Sequence, residues 1–173
     1  NLLYTKDDRT TWIYALVAPF PTLLDEVSMN ELQGSWTGEV AVSLLDTPVW
    51  MDGSTLAALT AIWGDPNPAF MVRTAPQEAL LDSAWDGQPS FAIIPFEAIE
   101  PRWKVLSIDG QSPLRKDFDP DTYPLKIRFG LMGDDAQDIA LNLPALNRDP
   151  QKLTTLVMTG VTALVRYTAV KME

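Results

Sequence analysis

Two apolar runs in the middle of the chain constrain its fold more than any other feature. The first, Ser90 to Ile94, is closed by Pro95. The second, Trp103 to Ile108, is closed by the pair Asp109-Gly110. Neither run alternates between apolar and polar residues, which is typical of strands covered on both faces, as in the sheet of an α/β protein. The segment 96–102 between them is long enough for one helical turn and a return.

The rest of the chain alternates between strand-like and helix-like segments. Strands are predicted at 12–18, 39–45, 48–51, 69–73, 125–131 and 152–158, and residues 2–4 could pair at a sheet edge. Helices are predicted from Ser28, which stands three residues before Glu31 as in a capping box, and at 56–64, 77–85 and 162–172. This alternation predicts an α/β fold with a mixed, mostly parallel sheet flanked by helices.

Length and composition indicate one globular domain. The chain has 173 residues, of which 46% are hydrophobic and 21% charged. We expect residues 1–150 to form the domain. Residues 151–173, a predicted strand and helix, either pack on it or begin a downstream domain. Because the chain opens on Asn1 rather than Met, we expect a fragment or a processed product. No apolar run reaches the roughly 18 residues of a membrane span.

The charge and the missing residue types exclude several functions. A net charge of −10 argues against nucleic acid or an anionic membrane as partner. The chain has no Cys and no His, which removes thiol chemistry, Ser-His-Asp catalysis and most zinc sites. Asp117, Asp119 and Asp121 alternate, but Pro120 interrupts them and the turn glycine of a calcium loop is missing. We therefore expect no catalytic residues, no metal and no cofactor in this chain.

The turn Asp52-Gly53-Ser54-Thr55 is the first candidate ligand-binding site. A turn of this composition at a helix start presents free backbone N–H groups and two hydroxyls, and the helix dipole favours an anion there. The alternative is that Asp52 or Ser54 only caps the helix, since capping needs the same residue types. An acidic residue in the turn also disfavours a fully charged anion.

Two Pro-Phe pairs form the second candidate site. Pro19, Phe20 and Thr22 follow the strand 12–18, while Pro95 and Phe96 follow the strand 90–94. Ligands of open α/β sheets lie beyond the carboxyl ends of strands, so the two pairs could form an apolar wall there. The alternative is that the phenylalanines cap the core.

Several motifs together resemble the type II periplasmic solute-binding proteins, notably the phosphate-binding ones. VSMNELQGSWTG resembles a helix of that family, and MDGST stands in the place of its anion loop. FAIIPF, KVLSIDGQSP and YPL resemble its later strands and turns. The similarity covers about 12–129 and implies one lobe of a two-lobed binding protein. Phosphate binders use an Arg near the anion loop, whereas Met51 precedes Asp52 here, which argues against phosphate.

The whole chain also resembles the N-terminal region of bacterial poly-γ-glutamate capsule biosynthesis proteins of the CapA type. In those proteins such a lobe precedes a calcineurin-like metallophosphatase domain. LTTLVMTGVTALVR, residues 153–166, resembles the first strand and turn of that domain. The family's metal-binding turn carries Gly-Asp, whereas Gly160 is followed by Val161 here. The resemblance implies an extracytoplasmic location and a small anionic or polymeric ligand.

These observations leave three hypotheses. The first is a non-catalytic, extracytoplasmic domain that recognises a ligand or partner in a cell-envelope polymer system. The second is a structural part of a metal-dependent phosphoesterase-like hydrolase, with its active site beyond this chain. The third is a structural or oligomerising module.

Overall fold

A mixed sheet organises the computed structural model, which describes residues 2–4, 10–39, 47–131 and 144–154. The strands are β1 (Leu2–Tyr4), β2 (Thr10–Pro19), β3 (Glu26–Val27), β4 (Val49–Met51), β5 (Val72–Thr74), β6 (Phe91–Pro95), β7 (Trp103–Val105), β8 (Ser107–Ile108) and β9 (Lys126–Leu131). The helices are α1 (Met29–Thr37), α2 (Gly53–Trp63) and α3 (Gln77–Asp86), with short 3-10 helices at Phe96–Ala98 and Pro150–Lys152. The main sheet has the order β1-β9-β2-β6-β4-β5, and β7 also pairs with β2.

Strand β2 is the centre of this sheet. Its first half pairs with β9, and its second half pairs with β6 and β7, antiparallel in every case. Residues 13–19 are all buried, as are all five residues of β6. Because both faces of these strands are covered, no polar alternation is needed along them. The buried strand predicted at 90–94 is therefore confirmed as β6, and the strand predicted at 12–18 is confirmed within β2.

Helices α1 and α3 begin where they were predicted, whereas α2 begins at Gly53, three residues before the predicted start. Ser28 caps α1 in a capping box with Glu31, and Gly38 ends the helix with φ of 81°. Asp52 caps α2, and Gly64 follows its last turn. Pro76 precedes α3 and supplies no side-chain cap. The backbone N–H of Met29 also donates to Asp109 Oδ1 at 3.0 Å, which ties the start of α1 to the turn after β8.

The helices cover both faces of the sheet and create two apolar clusters. The cluster beneath α1 and α2 contains Leu32, Trp36 and Leu59 together with Ile93. The cluster beneath α3 contains Leu80, Leu81, Ala84, Ala15, Val17, Ala92, Ile94 and Trp103. Burying each large side chain stabilises the fold by about 1.5–3 kcal/mol. The α/β class with a mixed sheet between helices is confirmed.

Several details differ from the sequence-based expectation. Of the pairings between described strands, β4–β5, β4–β6 and β3–β8 are parallel, and those of β2 and β9 are antiparallel. The strand predicted at 69–73 begins only at Val72. The predicted strand 103–108 is divided at Leu106 into β7 and β8. The Leu106 N–H still donates to the Leu16 carbonyl of β2, whereas the next N–H, that of Ser107, donates to the Asp25 carbonyl beside β3.

Some predicted elements cannot be compared with the structure. The predicted strand 39–45 lies outside the described residues apart from Glu39, as does the predicted helix 162–172. The strand predicted at 152–158 is described only to Thr154, where the chain leaves the 3-10 helix Pro150–Lys152. The division into 1–150 and 151–173 therefore stays a prediction.

Candidate functional site

Strands β4, β5 and β6 run in parallel and end at one edge of the sheet, and each is followed by the start of a helix. Helix α2 follows β4, α3 follows β5, and the 3-10 helix Phe96–Ala98 follows β6. Such an edge is where open α/β sheets bind ligands. We call the residues gathered there the strand-end site: Tyr14, Asp52–Thr55, Pro95–Glu97 and Asn147.

The Asp52 carboxylate holds the first turn of α2. Its Oδ1 accepts the Thr55 N–H at 2.6 Å, and the Ser54 hydroxyl donates to the same carboxylate at 2.9 and 3.0 Å. The capping interpretation of Asp52 is therefore confirmed. Gly53 and Ser54 are exposed, whereas Thr55 is buried. Because the first N–H groups of a helix have no acceptor within it, those of Gly53 and Ser54, which have no acceptor among the described residues, are available to a ligand.

Tyr14 brings a neutral phenol to the site. The residue is 3% exposed and lies in the cluster beneath α1 and α2. Burial raises the pKa of its hydroxyl, and the negative charges of Asp52 and Glu97 raise it further. The phenol therefore stays protonated, and within the described part of the chain its hydroxyl makes no hydrogen bond. It is a hydrogen-bond donor beside two carboxylates.

Asn147 continues the edge of β2 where β6 has ended. Its Oδ1 accepts the Ile13 N–H at 2.7 Å, and its Nδ2 donates to the Ile13 carbonyl at 3.1 Å. The same Nδ2 donates to Glu97 Oε2 at 2.6 Å. The Asn147 side chain thus makes the hydrogen bonds to Ile13 that a neighbouring strand would make, and it also fixes the position of Glu97. No motif or periodicity in the sequence indicates this role for Asn147.

Arg148 is a buried cation that lies next to Phe96 of the strand-end site. It is 5% exposed, and its Nε and Nη2 donate to the carbonyls of Pro113 and Arg115, both at 2.8 Å. Its guanidinium lies 4.7 Å from the ring centroid of Phe118 and 5.9 Å from that of Phe96. Burial lowers the pKa of this side chain. Arg148 was also missed by sequence analysis, and it places a buried cation near Phe96.

The structure separates the two Pro-Phe pairs. Tyr14 is opposite Pro95, whereas Pro19, at the far end of β2, is opposite Trp103. Because β2 is antiparallel to β6, the carboxyl ends of the two strands lie at opposite edges of the sheet. The predicted apolar wall of both pairs is therefore wrong: Pro19, Phe20 and Thr22 do not join Pro95 and Phe96.

The two phenylalanines also differ in their surroundings. Phe20 is 68% exposed, so it does not cap the core. Phe96 packs against the cluster beneath α1 and α2, as the core-capping alternative predicts. The carbonyl of Thr22 accepts from Lys104 Nζ at 2.8 Å, which fixes the loop after β2 at the far edge. Of the candidate residues, Asp52–Thr55, Pro95 and Phe96 share one edge.

The acidic residues and the helices of the described ranges form neither a metal cluster nor a membrane span. Among the described residues, no three acidic side chains converge closely enough to hold a metal ion. In that part of the chain, none of the helices has the length and apolarity to span a bilayer. Asp117 pairs with Arg115, and Asp119 accepts the Asp121 N–H, so these acidic groups stabilise their own turn.

Comparison with solved structures shows which proteins share this fold. An ABC-type phosphate transport receptor from Vibrio cholerae matches with a TM-score of 0.53 and 14% identity, over 74% of this chain and 58% of its own. A putative phosphate ABC transporter substrate-binding protein from Clostridium perfringens, with bound phosphate, matches with 0.51 and 12%, over 74% and 57%. This chain thus covers less than two thirds of either protein. No protein family and no curated protein matches the sequence.

Proposed function

We propose that this chain is a non-catalytic ligand-recognition domain, corresponding to one lobe of a two-lobed extracytoplasmic solute-binding protein. The fold shared with the two phosphate-binding structures supports the interpretation of this chain as one such lobe. The strand-end site supports recognition, because the carboxyl ends of three parallel strands meet the starts of three helices there.

One observation carries the proposal: the open contacts of the strand-end site are neutral donors. These are the exposed N–H groups at Gly53 and Ser54 and the protonated hydroxyl of Tyr14. The ionisable groups beside them are already engaged, since Asp52 caps α2 and Glu97 accepts from Asn147. Such an arrangement favours binding over acid–base catalysis, which needs a carboxyl group free to exchange a proton.

The negative charges beside these donors restrict the chemical class of ligand that the strand-end site can bind. The two solved relatives are phosphate-binding proteins by name, but here Asp52 and Glu97 oppose a doubly charged anion. The buried cation, Arg148, already donates through Nε and Nη2 to the Pro113 and Arg115 carbonyls. We therefore propose a polar solute or polymer segment whose acceptor groups each carry at most a single negative charge, rather than free phosphate.

We further propose that a second domain or a second copy of this chain encloses the ligand. The chain covers 58% and 57% of the two relatives' lengths, so a second domain or a second copy would supply the opposing wall. The resemblance of the sequence to CapA-type proteins supports a finer proposal, that the polymer is poly-γ-glutamate or another envelope polymer. The alternative, a structural part of a phosphoesterase-like hydrolase, predicts that this chain alone binds none of these ligands.

Calorimetric titration tests the proposal. The purified chain is titrated with inorganic phosphate, glutamate oligomers and neutral oligosaccharides. We expect heat from an oligomer or a sugar, and its loss in Tyr14→Phe and in Gly53→Pro, which removes one open N–H at the first position of α2, where proline is tolerated. Thr22→Ala, at the far edge of the sheet, is the control and should bind like the wild type. Absence of heat with the whole panel would contradict the proposal.

A further inference from the structure

A groove lies between the start of α3 and the segment that follows β6. Its volume is about 410 Å³, within the range of roughly 300–1,000 Å³ that small-molecule sites occupy. Its floor is apolar and is formed by Leu80, Leu81, Ile94, Ala98 and Trp103. Its rim is polar and is formed by Gln77, Glu78, Glu97 and Glu100.

The groove is separate from the open donors of the strand-end site. Its floor residues Leu80, Leu81, Ile94 and Trp103 belong to the cluster beneath α3. In contrast, Tyr14 lies in the cluster beneath α1 and α2, and Gly53 and Ser54 begin α2. Glu97 alone is shared by both. Since the walls come from this chain only, occupation of the groove requires no second lobe.

The rim carries negative charge without a matching cation. Glu78 and Glu100 form no ion pair with any residue that the structure describes, and Glu97 accepts from the neutral amide of Asn147. Arg102, next to the floor residue Trp103, is paired with Asp82 at 3.0 Å. Carboxylates around a partly enclosed cavity stabilise a cation inside it and repel an anion.

The floor adds an aromatic contact. Trp103 is 6% exposed and lines the groove. The indole ring and the leucine side chains can cover the hydrocarbon part of a ligand. Floor and rim therefore suit different ends of the same molecule.

We infer that this groove binds a small organic cation, with an ammonium group at the carboxylate rim and an apolar body on the floor. The volume accommodates a single ring with a short alkyl arm. The ligand differs from the one proposed for the strand-end site in charge and in polarity, so either proposal can fail without the other.

Three probes of matched shape test the inference by NMR titration of the labelled chain at pH 7. They are phenethylamine, neutral 2-phenylethanol and anionic 3-phenylpropionate. We expect phenethylamine to bind at least about threefold more tightly than 2-phenylethanol for each carboxylate that it contacts. The backbone signals of Gln77 and Ala98 should shift, and added salt should weaken the binding. Equal affinities for the three probes, no binding by any of them, or shifts confined to other residues would overturn the inference.

Charge-matched variants separate the rim from the overall charge. The double variant Glu78→Gln and Glu100→Gln should reduce the affinity for phenethylamine and leave only the contribution of Glu97, while the affinity for 2-phenylethanol should be unchanged. The control, Glu26→Gln with Glu39→Gln, removes the same charge from exposed positions outside the groove. An equal loss in the control would show general electrostatic attraction and would contradict a site at the groove. Ala98→Phe should block all binding by filling the floor.

Discussion

Replacing Arg148 by Met removes the buried cation that joins the segment 144–154 to the rest of the fold. Methionine keeps an apolar stem of similar length and loses the guanidinium. The variant loses the hydrogen bonds to the Pro113 and Arg115 carbonyls and the contact over Phe118. It leaves the buried Pro113 carbonyl without its donor.

The expected cost follows from these contacts. Each hydrogen bond from a charged donor contributes about 1.5–3 kcal/mol. The cation–π contact contributes about 0.5–2 kcal/mol. The variant regains part of this sum because no charge has to be desolvated, so we expect a net loss of about 3 kcal/mol in the free energy of unfolding. For a domain of this size that corresponds to a fall in Tm of roughly 6–12 °C.

Urea unfolding, followed by tryptophan fluorescence and circular dichroism, measures this loss. Arg102→Met is the matched control, because Arg102 forms an ion pair with Asp82 in which the two side chains are 54% and 70% exposed. Such a pair contributes at most about 1 kcal/mol. A cost below about 0.5 kcal/mol for Arg148→Met, within the ordinary range of surface substitutions, would refute the reasoning, as would equal costs for the two variants.

Three further predictions concern single contacts. Asp52→Ala should cost about 1 kcal/mol in urea unfolding, because it removes the cap on Thr55, and Asp52→Asn should cost less. Tyr123→Phe should cost about 1 kcal/mol, because the buried hydroxyl donates to the Tyr14 carbonyl at 3.0 Å; no loss would contradict that bond. The Ser28 N–H and hydroxyl lower the pKa of Glu31 below its usual 4.5. The stabilising contribution of ionised Glu31 is therefore present above pH 4.5 and lost as the pH falls through the lowered pKa. Glu31→Gln should be less stable than the wild type at pH 6, and the two free energies of unfolding should converge at low pH.

The ends of the helices could be predicted because their signals are local. Ser28 and Glu31 satisfy each other within one turn, and Asp52 reaches Thr55 across three residues. Gly38 takes the left-handed conformation that other residues avoid. None of these features depends on which strand lies next to which. The same is true of the buried character of β6, which its unbroken apolar run already indicates.

The direction of β2 could not be predicted, because it depends on pairing between distant segments. An apolar run has the same pattern in either direction, so nothing in 12–18 distinguishes parallel from antiparallel pairing with β6. The placement of Phe20 followed from the wrong assumption, that both Pro-Phe pairs end parallel strands. With β2 reversed, Phe20 reaches the far edge and is exposed.

Two site residues were missed for a related reason. Asn147 contacts Ile13, 134 residues earlier in the sequence, and Arg148 contacts Pro113, 35 residues earlier. Both lie in a stretch without periodicity between two prolines, where polar residues normally indicate a solvated loop. The one available signal was an Asn-Arg pair in an irregular segment, and such a pair does not indicate which distant residues it contacts.

The most direct test of ligand contact at the strand-end site is a backbone-amide NMR titration of the chain with glutamate oligomers and neutral oligosaccharides. We expect at least one of these ligands to shift the signals of Gly53, Ser54 and Asn147 in a saturable way, while those of Phe20 and Thr22 at the far edge stay in place. Saturable shifts at the far edge alone, or no shifts with either ligand class, would contradict ligand binding where the parallel strands end.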